Sequence, residues 1–448
     1  MTRSRLEQSA AVRSGDARRA QHAAGARALR GVEVAPRPSR RTAQRNQAPA
    51  RLAAVPARAP GSRPASYRAT KTRLEYQILT LATLALVAFG LVMVFSATSA
   101  TATLGGGSAS AYLVRQSIYA VAGVVAMVAL SRFNYRHLRP LAPTLLVASL
   151  GLCLAVLAVG PTIKGAQRWF VLGPLSVQPS ELVKLALALW IPARLARRPR
   201  PQTLGELAKP VGFMVGVACG LIAVQPDLGT VISITVMVVA ALIVAGVPFG
   251  ILFKASALVC TLALVATLYQ PYQRARLTGF MQGGSYQSVQ SLIGLGSGGV
   301  FGRGLGQGVQ KIHYLPEAHT DMIASVVGEE LGLVGIVFLI CCFAAFTWAG
   351  LRIALACRDP FGKVVAASLT AMICGQAAIN LAAVFGLAPL TGITLPFVSY
   401  GGSSLVVSLM AVGILLNIAV NHGKEGHSEM SDRSRRNRRS SPARARRR

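Results

Sequence analysis

Negative charge is the scarcest commodity in this chain. Of 448 residues only 15 are Asp or Glu, against 47 Lys and Arg. Between residues 76 and 421 the acids reduce to Glu181, Glu206, Asp227, Glu317, Asp321, Glu329, Glu330 and Asp359. A chain that is 14% charged and 52% hydrophobic with a net charge of +32 is no ordinary soluble domain. The seven cysteines (Cys153, Cys219, Cys260, Cys341, Cys342, Cys357, Cys374) show no CxxC or Cys/His spacing. That argues against a disulfide or zinc framework and leaves them as small core residues.

The positive charge is segregated. Residues 1–75 hold 17 Lys and Arg against 4 acids, and residues 422–448 hold 10 against 3. Both tails mix Arg with Ala, Pro, Ser and Gln without an apolar period, so they are expected to be disordered. A basic tail beside a membrane span sets topology and touches anionic lipid or a cytoplasmic protein more readily than nucleic acid, which is not expected as a partner.

The middle, residues 76–421, is a sequence of about ten apolar runs: 77–97, 113–130, 140–160, 180–196, 210–225, 229–246, 250–269, 323–350, 364–386 and 402–420. Each approaches the ~20 residues that cross a bilayer. Hydrocarbon offers no partner for backbone groups, so the runs must be helices and the fold class is an all-α polytopic membrane protein of about ten transmembrane helices. The first run is too long and too far along the chain for a cleaved signal. Arg139, Arg194, Arg197, Arg198, Arg200, Arg352, Arg358 and Lys363 fall in alternate connections. The positive-inside rule places that side, and both termini, in the cytoplasm. Six of the eight acids then lie at or near the outer face.

The connection from about Tyr269 to Met322, between the seventh and eighth runs, is long enough to be functional or disordered. Its centre, GLGSGGVFGRGLGQG, has eight glycines in fifteen residues. It is no P-loop, since no GK[ST] follows it and no strand precedes it. Composition favours a flexible linker over a backbone cradle for phosphate.

Four outer segments concentrate polar residues. KGAQRWFVLGPLSVQPSELVK carries Lys164, Arg168, Trp169, Gln178, Glu181 and Lys184. Trp169 reads as an interfacial anchor, Ser180 as an N-cap and Glu181 with Lys184 as an i,i+3 pair; an ion pair so deep in an apolar run equally marks a functional site. In QPDLGT, Asp227 is accounted for by capping a helix. YLPEAHTDMIASVVGEELG holds Glu317 and Asp321, which share a face if the helix starts early, and Glu329 and Glu330 about two turns deeper. Asp321 suits a helix N-terminus, and His319 with Asp321 forms a weak metal signature; Lys311 and His313 are nearby. LAPLTGITLPFVSYGGSS is dense in Pro and Gly, which break a helix where backbone lines a cavity or forms a re-entrant loop.

The stretches GAQRWF, QPSELVK, QPDLGT, RLTGF, YQSVQSLIGLGSGGVFGRGLGQGVQK, YLPEAHTD, GEELG and PLTGITLPFVSYGGSS, in this order over residues 76 to 422, resemble the SEDS (shape, elongation, division and sporulation) family, and YLPEAHTD is closer to its FtsW type than to its RodA type. Met322 and Ser325 stand where the family usually has aromatic or larger apolar residues. The resemblance implies a peptidoglycan glycosyltransferase that polymerises lipid II into β-1,4 glycan at the outer face of the bacterial plasma membrane, at the division septum, with inversion at the anomeric carbon. It implies Asp321 as general base, its pKa raised by desolvation at a cavity rim. Lys311, Arg168, Arg303 and Lys184, in that order, are then candidates for diphosphate contacts. Trp169, Glu181, Glu317 and Ser403 are candidates for lining the cavity or positioning substrate. The family further implies a Mg²⁺ or Mn²⁺ ion, a class B penicillin-binding protein as partner transpeptidase, and contact with other division proteins. A lipid II flippase is the rival reading; it calls for midplane polar sites and inverted repeats, whereas the acids here cluster at one face.

Overall fold

The computed structural model describes residues 65–103, 108–162, 166–173, 175–197, 201–312 and 314–421. The tails up to residue 64 and from residue 422, with Lys164, Arg198, Arg200 and His313, lie outside the described residues.

All ten apolar runs fold as helices. In chain order these are α1 (Ala65–Thr103), α2 (Ala109–Arg132), α3 (Leu138–Val159), α4 (Pro179–Leu195), α5 (Leu204–Leu207) running through a π turn into α6 (Phe213–Val224), α7 (Leu228–Val244) and α8 (Phe249–Tyr269). Two helices that the apolar pattern does not announce, α9 (Pro271–Met281) and α10 (Tyr286–Ser297), occupy the long connection. Then come α11 (Ile323–Ala356), α12 (Pro360–Val384) and α13 (Gly402–Asn421). A two-stranded antiparallel hairpin, β1 (Phe170–Leu172) and β2 (Leu175–Val177), pairs Phe170 with Val177 ahead of α4.

Seven of these helices are long and apolar enough to cross a membrane: α1, α2, α3, α8, α11, α12 and α13. The apolar helices α6 and α7 are shorter, with 12 and 17 residues, and α4 has 17 residues and carries Glu181 and Lys184. α1 starts at Ala65, eleven residues before the expected start of the membrane domain at residue 76. Just ahead of its apolar run, Glu75 is buried and receives Arg352 Nε of α11 at 3.3 Å.

The core centres on α4, whose side chains are buried on nearly every face and which packs against α3, α7, α12 and α13. Small residues permit close crossings. A Cβ on Gly413 would stand 2.5 Å from the Met127 carbonyl oxygen, so α2 and α13 touch backbone to backbone, the contact that substitutes for hydrophobic driving force between helices in lipid. Outward-facing Leu81, Val121, Phe249 and Phe253 are exposed, as side chains meant for lipid must be.

α11 is not continuous. Gly332 adopts φ 64° and ψ −156°, which breaks the helix two residues after Glu330. Breaking a buried helix orphans its carbonyls and amides. The glycine-rich loop satisfies them: Arg303 N and Gly304 N donate to the carbonyls of Glu329 and Glu330 (both 3.0 Å), while Leu333 N and Val334 N donate to those of Gly299 and Val300 (3.0 and 3.2 Å). A Cβ on Gly298 would overlap the Gly328 carbonyl oxygen, and one on Gly302 that of Glu330. The stretch is therefore neither a flexible linker nor a phosphate cradle. Its glycines let one backbone dock against another.

Candidate active site

A cavity of about 1010 Å³ opens where β2, the N-termini of α4 and α7, the α9–α10 region, the turn before α11 and the loop before α13 converge. Each wall is placed by a local rule. Asp227 caps α7, its carboxylate accepting Thr230 N (3.2 Å) and Thr230 Oγ1 (2.9 Å), and it also receives Gln178 Nε2 at 3.2 Å. Arg168 donates to the terminal carbonyls after α6, Nε to Gln225 O and Nη2 to Pro226 O (both 2.6 Å), the placement a helix C-terminus favours for a cation. The loop of residues 385–401 is held open by side chains of α12. Gln376 Nε2 donates to Thr394 O (2.9 Å), and Asn380 Nδ2 donates both to Ile393 O and to Asp321 O (both 2.8 Å).

Asp321 lies two residues before the start of α11, so Glu317 and Asp321 do not share a helical face. They share a turn instead. The Thr320 hydroxyl stands 3.1 Å from Glu317 Oε2 and 3.3 Å from Asp321 Oδ1, and both acids line the cavity with His319 and Thr320. Glu317 takes a left-handed φ of 60°, a backbone strain of about 1–3 kcal/mol that a non-glycine residue tolerates only where surroundings impose it. Across Gly392, a Cβ would be 3.6 Å from Arg276 Nη1 and 4.0 Å from Asp321 Oδ2, so the Arg276 guanidinium and the Asp321 carboxylate face the same small volume. Tyr400, also on the wall, has its hydroxyl pKa raised by burial, with the hydrogen bond from Arg115 opposing.

The candidate residues separate by location. Asp321, Glu317, Glu181, Arg168 and Trp169 line the cavity. Lys184 is buried behind it, 2.9 Å from Glu181 Oε1 and donating to Gln376 Oε1 at 2.7 Å, where it neutralises an acid of the wall. Ser403 accepts Gln178 N (3.0 Å) and donates to Ser176 O (2.9 Å), fastening α13 to β2. Ser180 does not cap α4; Gln178 occupies that position.

Lys311 stands apart from the cavity lining. Its side chain is 1% exposed and its ammonium lies 2.7 Å from Glu330 Oε1, donating also to Ser96 O (3.0 Å), while Ser96 Oγ donates to Glu330 Oε2 (2.5 Å). A fully paired, buried lysine cannot reach a diphosphate in the cavity without abandoning its acid. Arg303 is also elsewhere, half-exposed and 3.8 Å from Glu329 Oε1. Glu329 in turn accepts Val309 N (2.8 Å) and Gln310 N (3.1 Å), closing the glycine loop over the helix break.

Two residues of the site escape a reading built on outer carboxylates. Arg276 lies on α9, in the matched motif RLTGF, where it and Arg274 are two cations of an unannounced helix and nothing in the sequence singles out either. Asn380 sits within an apolar helix, and only the fold reveals that it ties Asp321 to the loop. Among the described residues no group of three or more His, Cys, Asp or Glu converges as a metal site. The paired carboxylates of Glu317 and Asp321 do fit a divalent cation of the magnesium kind, commonly held by one or two carboxylates together with substrate phosphates.

The family profile described as cell cycle protein, covering FtsW, RodA and SpoVE, matches residues 76–424. The probable peptidoglycan glycosyltransferase FtsW of Trichlorobacter lovleyi is 37% identical over 77% of this chain and 93% of its own length. The probable peptidoglycan glycosyltransferase FtsW of Bacillus subtilis is 37% identical over 76% and 90%. Among solved structures, a chain of a peptidoglycan synthase complex superposes with a TM-score of 0.63 at 30% identity, covering 77% of this chain and 97% of that one. The rod shape determining protein RodA of Thermus thermophilus gives 0.58 at 31% identity, over 77% and 96%. With its membrane helices, its broken α11 and its acid-lined cavity, this chain belongs to the FtsW, RodA and SpoVE family of cell cycle proteins.

Proposed function

We propose that this chain is a peptidoglycan glycosyltransferase of the FtsW type, polymerising lipid II at the outer face of the plasma membrane during division. The observation that carries the reading is the cavity in which the Asp321 carboxylate and the Arg276 guanidinium face the same small volume, with Glu317 and Arg168 on the same lining. The carboxylate of Asp321 takes the proton from the 4-hydroxyl of the acceptor sugar. The freed oxygen attacks the anomeric carbon of the donor, and the bond from that carbon to the diphosphate oxygen breaks with inversion. Arg168 and Arg276 bind the departing diphosphate, whose developing charge is what the site must stabilise. Lys184 holds Glu181 in place, and Trp169 and Glu317 position the sugars. A Mg²⁺ or Mn²⁺ ion, when bound, would be held on the Glu317 side and would neutralise diphosphate charge.

The partner is a class B penicillin-binding protein, a transpeptidase consuming the nascent strand. The similar chain belongs to a peptidoglycan synthase complex described as coordinating polymerization and crosslinking, which supports that reading. The test is polymerisation of purified lipid II by the full chain together with a transpeptidase that has no transferase activity of its own. The native protein yields glycan chains and Asp321→Asn yields none; full activity in that variant would remove Asp321 as base. Movement of labelled lipid II across liposomes without any polymer would replace the enzyme reading by a flippase. Depletion in cells gives filaments for a division enzyme and rounded cells for an elongation enzyme.

A further inference from the structure

A second cavity, of about 300 Å³, lies at the opposite end of the helices from the first. α4 fixes the separation: Glu181 lines the large cavity in its first turn and Arg194 lines the small one in its last, about 20 Å further along the axis at 1.5 Å per residue. The lining of the small cavity has one sign of charge, with Arg139 from α3, Arg194 and Arg197 from the end of α4, and Lys209 from the turn before α6. Among the described residues none of these four cations has a carboxylate within ion-pair distance. The acid next in sequence, Glu206, is exposed and engaged by the backbone amide of Gln202 at 2.9 Å.

Arg194 and Arg197 suit a helix C-terminus, but Arg139 does not suit its position. It occupies the first turn of α3, the positive end of the helix dipole, where a cation is disfavoured. Its guanidinium stacks 5.9 Å from the Phe361 ring, and its Nε is buried without a hydrogen-bond partner. A buried donor on a permanent cation, left unpaired, is expensive unless something occupies the cavity. The cavity is also amphipathic. Trp190 and Phe213 form its apolar side, and Phe213 is 64% exposed on the flank that faces lipid.

We propose that this cavity binds the phosphate of an anionic phospholipid, with Arg139, Arg194, Arg197 and Lys209 around the phosphate oxygens and the acyl chains leaving past Phe213. Arginine forks match phosphate oxygens, and a basic pocket between helices at the membrane surface is the setting in which anionic headgroups are held. Under the positive-inside orientation the lipid belongs to the cytoplasmic leaflet. The site is separate from the polymerising cavity, so its occupancy can be read without any assay of glycan synthesis.

The experiment is native mass spectrometry of the full chain in detergent with equal amounts of phosphatidylglycerol and phosphatidylcholine, and separately with inorganic phosphate as competitor. The native protein retains phosphatidylglycerol preferentially, and neutralising the four cations together (Arg139→Gln, Arg194→Gln, Arg197→Gln, Lys209→Gln) weakens retention at least ~10-fold. Displacement by millimolar phosphate would assign the cations to a soluble phosphate and overturn the lipid. Equal retention of both lipids, or of phosphatidylglycerol by the native and neutralised proteins, would overturn the site. Should the fourfold variant fail to fold, Phe213→Glu places a like charge on the acyl exit and gives the same readout: loss of the preference supports the site, and an unchanged preference overturns it.

Discussion

Asp321 and Glu330 are nine positions apart in one polar stretch, and their surroundings give them opposite tasks. Asp321 sits at a cavity wall beside Glu317, whereas Glu330 is sealed against Lys311 and Ser96. Removing one member of a buried ion pair leaves an uncompensated charge and costs about 3–5 kcal/mol. Lys311→Ala is therefore expected to lower the unfolding temperature sharply, while the double variant Lys311→Met with Glu330→Gln recovers most of the loss; an unchanged melting curve for the single variant would contradict the pair. At Asn380 one side-chain amide holds two carbonyls, those of Asp321 and Ile393. Asn380→Leu strands both acceptors, about 1–3 kcal/mol each, and should lower the turnover of lipid II more than its KM, because Asp321 is displaced while the cavity remains. That Asp321 stands out could be read from the motif that carries it; the cavity it lines could not. Lys311 was misleading for a simple reason: a lysine beside a glycine loop has the same sequence whether it faces phosphate or a buried acid.

Among the elements, α11 and the glycine loop decide most about the site. The helix breaks at Gly332, eleven residues past Asp321, and the break is tolerated because four backbone hydrogen bonds join the loop to the helix across it. Composition alone pointed to a linker, since glycine count is identical in a flexible tether and in a backbone that must approach another closely; what lies opposite makes the difference. Met322 and Ser325 fit this arrangement, Met322 buried and Ser325 Oγ donating to Ser291 O at 2.9 Å to tie α10 to α11. Gly298→Ala forces its new methyl into the Gly328 carbonyl. The expected outcome is faster hydrogen exchange at the amides of Arg303 and Gly304 together with reduced polymerisation; native exchange rates in that variant would show that the loop is not docked as described.

At the scale of the molecule, ten helical runs were readable from hydrophobicity, yet among the described residues seven helices meet both length and apolarity for a span. The remaining three, α4, α6 and α7, are the short or polar ones, and α4 and α7 open onto the cavity at their N-termini. A helix that borders a polar cavity needs no full hydrophobic length, because its end meets substrate and water and not lipid. The expected ten spans, an even number, would put both ends of the helical region on the same side. A fluorescent protein fused after the C-terminus should then glow, and alkaline phosphatase inserted after Gly284 should be active outside the membrane; the reverse pattern would overturn the orientation. By itself the sequence determined the fold class, the segregation of charge and the motifs that carry Asp321, because bilayer chemistry and helix period act locally along the chain. Only the tertiary structure decided which acids face the cavity and which are sealed, that Arg276 and Asn380 belong to the site, and what the glycines are for. Those are properties of contacts between residues tens to hundreds of positions apart, and burial, which sets the cost and use of a charge, is created only when the helices meet.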